Sequence, residues 1–357
     1  MDEPKEGRQI KYGYNEVDSG TFGTPAADTD TFTQVACDHF DFTDTETGHD
    51  IPMAAGVRQP VYQQSHTTTK GAMPSFDVKG PFSLNENDPM AYAHFQKVVE
   101  GATPFTKIFT PFATHPDFSA SAGHWLTWAV GYPVIATSHV AEGCICNRYK
   151  LSINRNEFMM FDTGWKAHGT TDITSTVYED GTWEMGLAGP GGADAKATDY
   201  GRVHWSDLDI MTLDFDDAIS PTADAICFQS MEIESEYQTV DQIKPDGAGS
   251  FQGYGLAGWG GTFRITVLKD AQVEAALANV RANSGIRFQI NKGAAGALLG
   301  GEFQSIMYGK ISPSGITFEK EGLIGAVISG TIMAPDVSTD AWDLRWANTI
   351  DRSYPAA

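Results

Sequence analysis

The sequence predicts a mainly β protein with two similar domains, each a β-sandwich or open barrel flanked by one helix, the duplicated form of one fold. Three observations support this prediction. Apolar and polar residues alternate along many short segments, which is typical of half-buried strands. Glycine is abundant, at 37 of 357 residues, which indicates frequent turns. A succession of strand, helix and further strands occurs twice, without a regular βαβ alternation, so the strands are expected to pair antiparallel.

The first copy of this unit contains a predicted helix over residues 89–100. Asp88 is a suitable N-cap, Pro89 occupies the first helical position and Gly101 follows the end. Its predicted buried stripe consists of Tyr92, Phe95 and Val99.

The second copy repeats this plan, with a helix predicted over residues 271–283. Val78 and Val267, in the strands before the two helices, are 189 residues apart, and Cys37 and Cys227 are 190 apart. A nearly constant offset predicts a duplication. The predicted divisions are an N-terminal arm (1–30), a first domain (31–195), a second domain (196–345) and a C-terminal tail (346–357), with a glycine-rich linker near 186–201.

The segment GCICNRYKLSI at 143–153 contains Cys144 and Cys146, and raises the question of a thiol site. Tyr149, Leu151 and Ile153 alternate with polar residues, which predicts a strand. In a strand both cysteines point to the same face, and no second cysteine or histidine pair has zinc-binding spacing. The four cysteines (Cys37, Cys144, Cys146 and Cys227) are predicted to pack in the core without forming disulfides or binding metal.

Two further groups of residues admit a binding interpretation. The acidic run DLDIMTLDFDD at 207–217 lacks the glycine turn of a calcium loop, and an apolar run separates Asp209 from Asp214, so a half-exposed strand is favoured. Trp125 and Trp128, after His124, are an odd number of positions apart and are expected to pack in the core instead of forming a sugar-stacking platform.

Composition excludes some classes of function. There are 24 Lys and Arg against 46 Asp and Glu, a formal charge of −22, which disfavours a protein that grips nucleic acid through phosphates. Neither a signal sequence at the start nor a membrane span is recognisable, and LIGAVISGTIMA at 323–334 is too short to cross a bilayer. No motif of catalysis is present, so the chain is predicted not to be an enzyme and to have no catalytic residues, cofactor or metal.

Residues 71 to 170 contain, in order, SFDVKGPFSL, the short helix, the aromatic strand HWLTWAV, the segment EGCICNRYKLSI and a strand pair ending in FDTGWKAHG. This succession resembles the tail tube (major tail) proteins of long-tailed bacteriophages. Gly143, Cys144 and Asn147 match the segment that opens the strand after the helix in that family. Residues 263–337 follow the same order more loosely.

The resemblance implies a structural virion protein, made in the host cytoplasm, whose stacked rings form the tube for ejection of the genome. Two fused domains imply a homotrimeric ring with pseudo-sixfold symmetry. Loops at about 43–75 and 234–262 would reach the next ring, and other tail proteins would be further partners. DNA would pass through the lumen without specific binding, and no membrane contact is expected.

Two expectations about the channel follow. The strands at 148–153, 158–163, 306–311 and 322–333 are expected to pair across subunits. The side chains facing the channel are expected to be net acidic or neutral, with part of the −22 charge concentrated there, because carboxylates cannot trap phosphates. Two alternatives remain open: a secreted calcium- or carbohydrate-binding β-protein, and another virion component such as a tail-terminator or decoration protein.

Overall fold

The fold is described from a computed structural model of the chain. The described residues are 11–16, 32–38, 40, 42, 47–50, 65–68, 74–84, 86–101, 105–111, 125–132, 137–173, 183–185, 201–215, 224–225, 228–243, 251–268, 285–293, 301–319 and 325–348. The predicted second helix at 271–283 lies outside them, as do Cys227, His124 and nearly all of the predicted linker.

Twenty strands and one α-helix occur in this part of the chain. The strands before the helix are β1 (Lys11–Glu16), β2 (Phe32–Gln34), β3 (Thr47–Asp50), β4 (Ser65–Thr68) and β5 (Ser75–Pro81), and the helix is α1 (Asp88–Phe95). The next strands are β6 (Gln96–Glu100), β7 (Phe105–Pro111), β8 (Leu126–Tyr132), β9 (Thr137–Asn154), β10 (Met160–Lys166), β11 (Gly169–Ile173) and β12 (Trp183–Met185). The last are β13 (Ile210–Phe215), β14 (Asp224–Ala225), β15 (Phe228–Ile243), β16 (Phe251–Leu268), β17 (Gly285–Lys292), β18 (Phe303–Glu319), β19 (Gly325–Ile332) and β20 (Trp342–Asn348).

Eighteen of these strands are hydrogen-bonded into one open sheet, and β3 and β4 form a separate hairpin. All strand pairs are antiparallel except β2 with β12. The mainly β class and the antiparallel pairing predicted from the sequence are therefore confirmed.

The two halves of the sequence share this sheet. Its central order is β5–β10–β9–β15–β16–β19–β18–β17–β13, so the halves meet where β9 pairs with β15. A second junction is formed by β7 and β20. The sheet does not divide at the predicted boundary near residue 195, and the predicted duplication is not confirmed.

The long strand β9 connects two groups of strands through a bulge. Residues 137–144 pair with β8, whereas residues 145–154 pair with β10 and β15. Between the pairs Leu126–Cys144 and Trp128–Ala141, β9 contains one residue more than β8, which is a β-bulge. Gly143, within this bulge, has a φ of 57°. This left-handed conformation favours glycine, so Gly143 allows the strand to change direction.

The helix α1 is shorter than predicted. It ends at Phe95, and Gln96–Glu100 continues as β6, paired with β7. Tyr92 and Phe95 are buried as predicted, but Val99 is 54% exposed, so its assignment to the buried stripe was wrong. β-Branched Val98 and Val99 fit a strand better than a helix, and β7 supplies backbone partners there. All eight residues of α1 are buried, so the helix lies inside the core and not on its surface.

Four segments predicted as an arm, a tail or contact loops contain paired strands. β1, in the predicted arm, pairs with β8, and Trp346–Asn348, in the predicted tail, belongs to β20. The predicted contact loop at 43–75 contains the β3–β4 hairpin. The predicted loop at 234–262 lies within the long β15–β16 hairpin, whose strands pair from Phe228 to Ile243.

The four strands predicted to pair across subunits are already paired within the chain. β9 lies between β10 and β15, and β10 lies between β9 and β5. β18 lies between β17 on one edge and β20 and β19 on the other, and β19 lies between β16 and β18. Because a strand has only two edges, the expectation was wrong for residues whose two edges are both occupied.

Candidate functional site

The strands at the centre of the sheet have one buried and one open face. On β9, Tyr149, Leu151 and Ile153 are at most 1% exposed, whereas Arg148 and Lys150 reach solvent. This is the alternation predicted from the sequence, and β5 and β10 show it too. We call the solvent side of β5, β10, β9, β15 and β16 the charged face.

Charges of opposite sign alternate across the strands of the charged face. One row of directly paired residues crosses seven strands from β5 to β18. Its members, in order, are Lys79, Asp162, Lys150, Glu234, Thr262, Thr331 and Lys310. Opposite charges on directly paired residues stabilise the register of neighbouring strands.

Arg148 is the most connected side chain of the charged face. Its Nη2 donates hydrogen bonds to Asp162 on β10 at 2.7 Å and to Asp77 on β5 at 2.8 Å. To reach Asp77 the guanidinium passes over Gly164, where an added Cβ would lie 3.2 Å from Nε. Burial alone would lower the pKa of Arg148, but the bonds to Asp77 and Asp162 raise it above its ordinary value. The absence of a side chain at residue 164 therefore lets one arginine bridge three strands.

Lys150 connects the two halves of the chain. Its Nζ lies 2.7 Å from Oε1 of Glu232 and 3.9 Å from Oε2 of Glu234, both on β15. Arg148 makes a second, longer contact of 3.9 Å with Glu234. These ion pairs lie on the junction between β9 and β15, so they favour the register that joins the halves.

The charged face is electrically balanced. Its acidic residues are Asp77, Asp162, Glu232, Glu234 and Glu236, and its basic residues are Lys79, Arg148, Lys150, Lys166 and Arg264. The chain as a whole has 46 acidic and 24 basic residues. The acidic excess of the chain is therefore not concentrated on this face.

A shallow depression lies at one end of the charged face. Gly258 and Gly260 pair with Gln238 and Glu236, and added Cβ atoms on the two glycines would meet nothing within 4 Å. The backbone of Gly260 is therefore accessible to solvent beside the carboxylate of Glu236. Beyond this point β15 and β16 pair only with each other in the described chain, and form a two-stranded ribbon.

The buried side of the same strands contains a polar group that the sequence interpretation missed. Ring nitrogens of His94, on α1, lie 3.2 Å from the carbonyl oxygen of Cys146 and 2.7 Å from Oγ of Ser235. Burial lowers the pKa of His94 to about 3, against an opposing effect of the Cys146 carbonyl, so the imidazole is neutral at pH 7. It links the helix to both strands of the β9–β15 junction.

A second buried group surrounds the start of α1. Asp88 is fully buried, and its Oδ2 accepts a hydrogen bond from Lys107 Nζ at 2.8 Å. Its Oδ1 accepts a hydrogen bond from Trp346 Nε1. The sequence identified Asp88 as a helix cap, but no local signal marks Lys107 and Trp346, which the fold brings from 19 and 258 residues away.

The described cysteines lie where an unreactive thiol is expected. Cys144 and Cys146 are buried in the core, and their thiols donate to backbone carbonyls of Ala141 and Arg148. Burial raises the pKa of both thiols far above the ordinary value, and burial next to Asp38 and Glu86 raises the pKa of Cys37 to about 12. Core packing of Cys144 and Cys146 is thus confirmed, and neither thiol is activated as a nucleophile.

The two other candidate groups adopt the structures favoured from the sequence. Residues 210–215 form β13, and Asp209 accepts a hydrogen bond from the backbone N–H of Gly293. Trp125 and Trp128 are 2% and 0% exposed, so neither ring can stack on a sugar. Within the described ranges no group of three or more His, Cys, Asp or Glu side chains is placed to hold a metal ion.

Comparisons with known proteins add no assignment. No protein-family model matches the chain, and no significant match is found among curated proteins. None of the helices in the described segments is long and apolar enough to cross a membrane. Functional inference therefore rests on the sequence and on the geometry of the sheet.

Proposed function

We propose that this protein is the structural subunit of a phage tail tube, which assembles into trimeric rings that stack into a conduit for the genome. The observation that carries the proposal is the charged face, a continuous surface across five strands on which Lys79, Arg148 and Lys150 form ion pairs with carboxylates. The order of elements that resembles tail tube proteins, from SFDVKGPFSL to FDTGWKAHG, lies largely in the strands that build this face.

A conduit for duplex DNA must not bind the phosphates that pass it. Free lysine and arginine side chains would bind them by releasing counterions. On the charged face Arg148, Lys150 and Lys79 each form an ion pair within the sheet, the last with Asp162 at 3.2 Å. A wall neutralised in this way attracts DNA weakly, so the balanced surface fits the neutral form of the expected channel, although the acidic excess is not concentrated on it.

Ring closure requires a strand edge that the chain does not occupy itself. Residues 316–319 of β18 pair with β19 on one edge, and the described part of the chain supplies no partner for the other edge. In the proposed ring this edge meets the next subunit. Contacts between rings are assigned to the ribbon of β15 and β16, which lies inside the 234–262 segment that the resemblance implies for this role.

A sugar-binding protein and another virion component, the two alternative functions, would have different properties. A sugar-stacking surface built from Trp125, Trp128, Trp165, Trp342 or Trp346 is not favoured, because these five rings are at most 2% exposed. A tail-terminator or decoration protein would share the composition and would not form long tubes by itself. Self-assembly is therefore the property that separates the proposals.

Negative-stain microscopy of the purified chain over a range of concentrations tests the proposal. We expect rings with threefold symmetry, and tubes as concentration rises. A matched variant, in which the ribbon is shortened by removing residues 239–243 and 251–256 together, should form rings that do not stack. A chain that stays monomeric at every concentration would contradict the proposal.

A further inference from the structure

The buried pair of Lys107 and Asp88 has the arrangement of two groups that can condense. We propose that Lys107 Nζ and Asp88 Cγ form an intramolecular isopeptide bond after the chain has folded. Nζ lies 2.8 Å from Oδ2, and Cγ is one covalent bond further, so the nucleophile is close to the carbon it would attack. The inference does not depend on the proposed function.

Burial is the first condition that favours the reaction. The side chains of Lys107 and Asp88 are 2% and 0% exposed, so neither charge is solvated by water. The desolvation penalty of two buried charges can exceed their attraction. Transfer of one proton from the ammonium to the carboxylate removes both charges, and the resulting amine is the form that can act as a nucleophile.

Preorganised donors are the second condition. Trp346 Nε1 donates to Asp88 Oδ1, the oxygen that takes up negative charge when the amine adds to Cγ. Asp88 is also the first residue of α1, where the helix dipole favours negative charge. A hydrogen-bond donor fixed in a water-excluded site stabilises such an oxyanion.

The surroundings exclude water from the site. The Trp346 ring lies 5.5 Å from Phe82 and 4.7 Å from Phe109 between ring centroids, and all three side chains are fully buried. Phe303 lies at 6.3 Å from the same ring. Water would compete as a nucleophile and reverse the condensation, so an aromatic enclosure favours the amide.

The reaction balances without another reactant. The Nζ–Cγ bond forms, the Cγ–Oδ2 bond breaks, and Oδ2 leaves as water with two of the three ammonium protons. The third proton of the ammonium stays on nitrogen as the amide N–H. No redox change, metal or cofactor takes part.

The bond would connect α1 with β7, two elements separated in sequence only by β6. Lys107 is on β7, which pairs with β6 and β20, and Asp88 begins the helix packed against β9. A covalent link here closes a 19-residue loop and attaches α1 to the sheet at the β7–β20 junction. Loop closure of this kind restricts the unfolded chain, as a disulfide does.

Intact-mass measurement of the full chain under denaturing conditions tests the proposal. The expected mass is that of the sequence less one water molecule, and the Lys107→Met variant should show the full mass of its own sequence. Trypsin should not cut after Lys107 in the wild type, and should release one branched peptide that contains both Asp88 and Lys107.

The ion pair of Lys150 and Glu232 is the internal control. Its N–O distance of 2.7 Å is equivalent, but its side chains are 22% and 48% exposed. Trypsin is expected to cut after Lys150 in the same digest. A wild-type mass equal to that of the unmodified sequence, with normal cleavage after Lys107, would overturn the proposal even if the variant fails to fold.

Discussion

The two faces of the central sheet use ion pairs of nearly the same length in opposite environments. On the charged face Lys150 Nζ and Glu232 Oε1 are 2.7 Å apart in solvent, and on the buried side Lys107 Nζ and Asp88 Oδ2 are 2.8 Å apart inside an aromatic core. Water stabilises each partner of the first pair when the other is removed. The buried pair has no such compensation, so the distance between two charges does not by itself determine their contribution to stability.

The largest expected effect is at the buried pair. Lys107→Met removes the cation beside Asp88 together with the proposed isopeptide bond, and should reduce the free energy of unfolding by about 3–5 kcal/mol, because the Asp88 carboxylate then stays buried without Lys107. Urea unfolding followed by tryptophan fluorescence measures this change.

The control for this variant neutralises both partners. Asp88→Asn combined with Lys107→Met removes the remaining carboxylate charge while keeping a side chain that can accept a hydrogen bond from Trp346. The double variant should be more stable than the single one. If both are equally destabilised, the effect comes from lost packing of Lys107 and loss of the proposed bond, and not from a buried carboxylate without Lys107.

Substitutions at two adjacent residues of β9 allow a direct comparison of the buried face with the charged face. Leu151 is fully buried, and Leu151→Ala should lower the free energy of unfolding by about 2–5 kcal/mol through lost burial and a cavity. Lys150→Ala, one position earlier on the opposite face, should cost about 0.2–1 kcal/mol. Equal losses at the two positions would contradict the assignment of a buried and an open face.

His94 makes the buried side sensitive to acid. Its pKa is lowered from 6.5 to about 3 by burial, so below pH 6.5 the unfolded chain binds a proton that the folded chain excludes. The stability that depends on neutral His94 is fully present above pH 6.5. As the pH decreases from 6.5 toward 3, the free energy of unfolding should fall by about 1.4 kcal/mol per pH unit. His94→Gln should reduce this slope in urea unfolding at pH 7, 6 and 5, and an unchanged slope would show that His94 is protonated in the fold.

The smallest expected effect is that of salt concentration on the unfolding free energies of these variants. Raising the salt concentration screens the solvent-exposed pairs on the charged face, so the difference in unfolding free energy between wild type and Lys150→Ala should shrink toward zero. The difference between wild type and Lys107→Met should change little, because solvent ions do not reach that pair. A comparable salt dependence at both sites would place Lys107 in contact with solvent.

The sequence predicted the features of the sheet that depend on local pattern. Alternation along 148–153 identified the buried and open faces of β9, and Cys144 and Cys146 were correctly placed in the core. It mislocated the end of α1, because helical spacing continues to Val99 whereas β7 supplies backbone partners for Gln96–Glu100. Whether a helix ends and a strand begins at such a position depends on pairing with another segment, here β7.

The candidate site was less predictable. Arg148 forms an ion pair with Asp77, which is 71 residues away in sequence. Lys150 forms one with Glu232, which is 82 residues away. No residue pattern within a single strand indicates which strands become neighbours. The resemblance to tail tube proteins implied that strands 148–153 and 158–163 pair with other subunits, but β9 and β10 have their edges paired within the chain.

We propose that the charged face lines a conduit, and a symmetric cryo-microscopy reconstruction of the assembled particles tests this most directly. We expect a threefold ring with Lys79, Asp162, Lys150 and Glu234 facing the central channel. Rings in which this row lies on the outer surface, or between stacked rings, would contradict the claim.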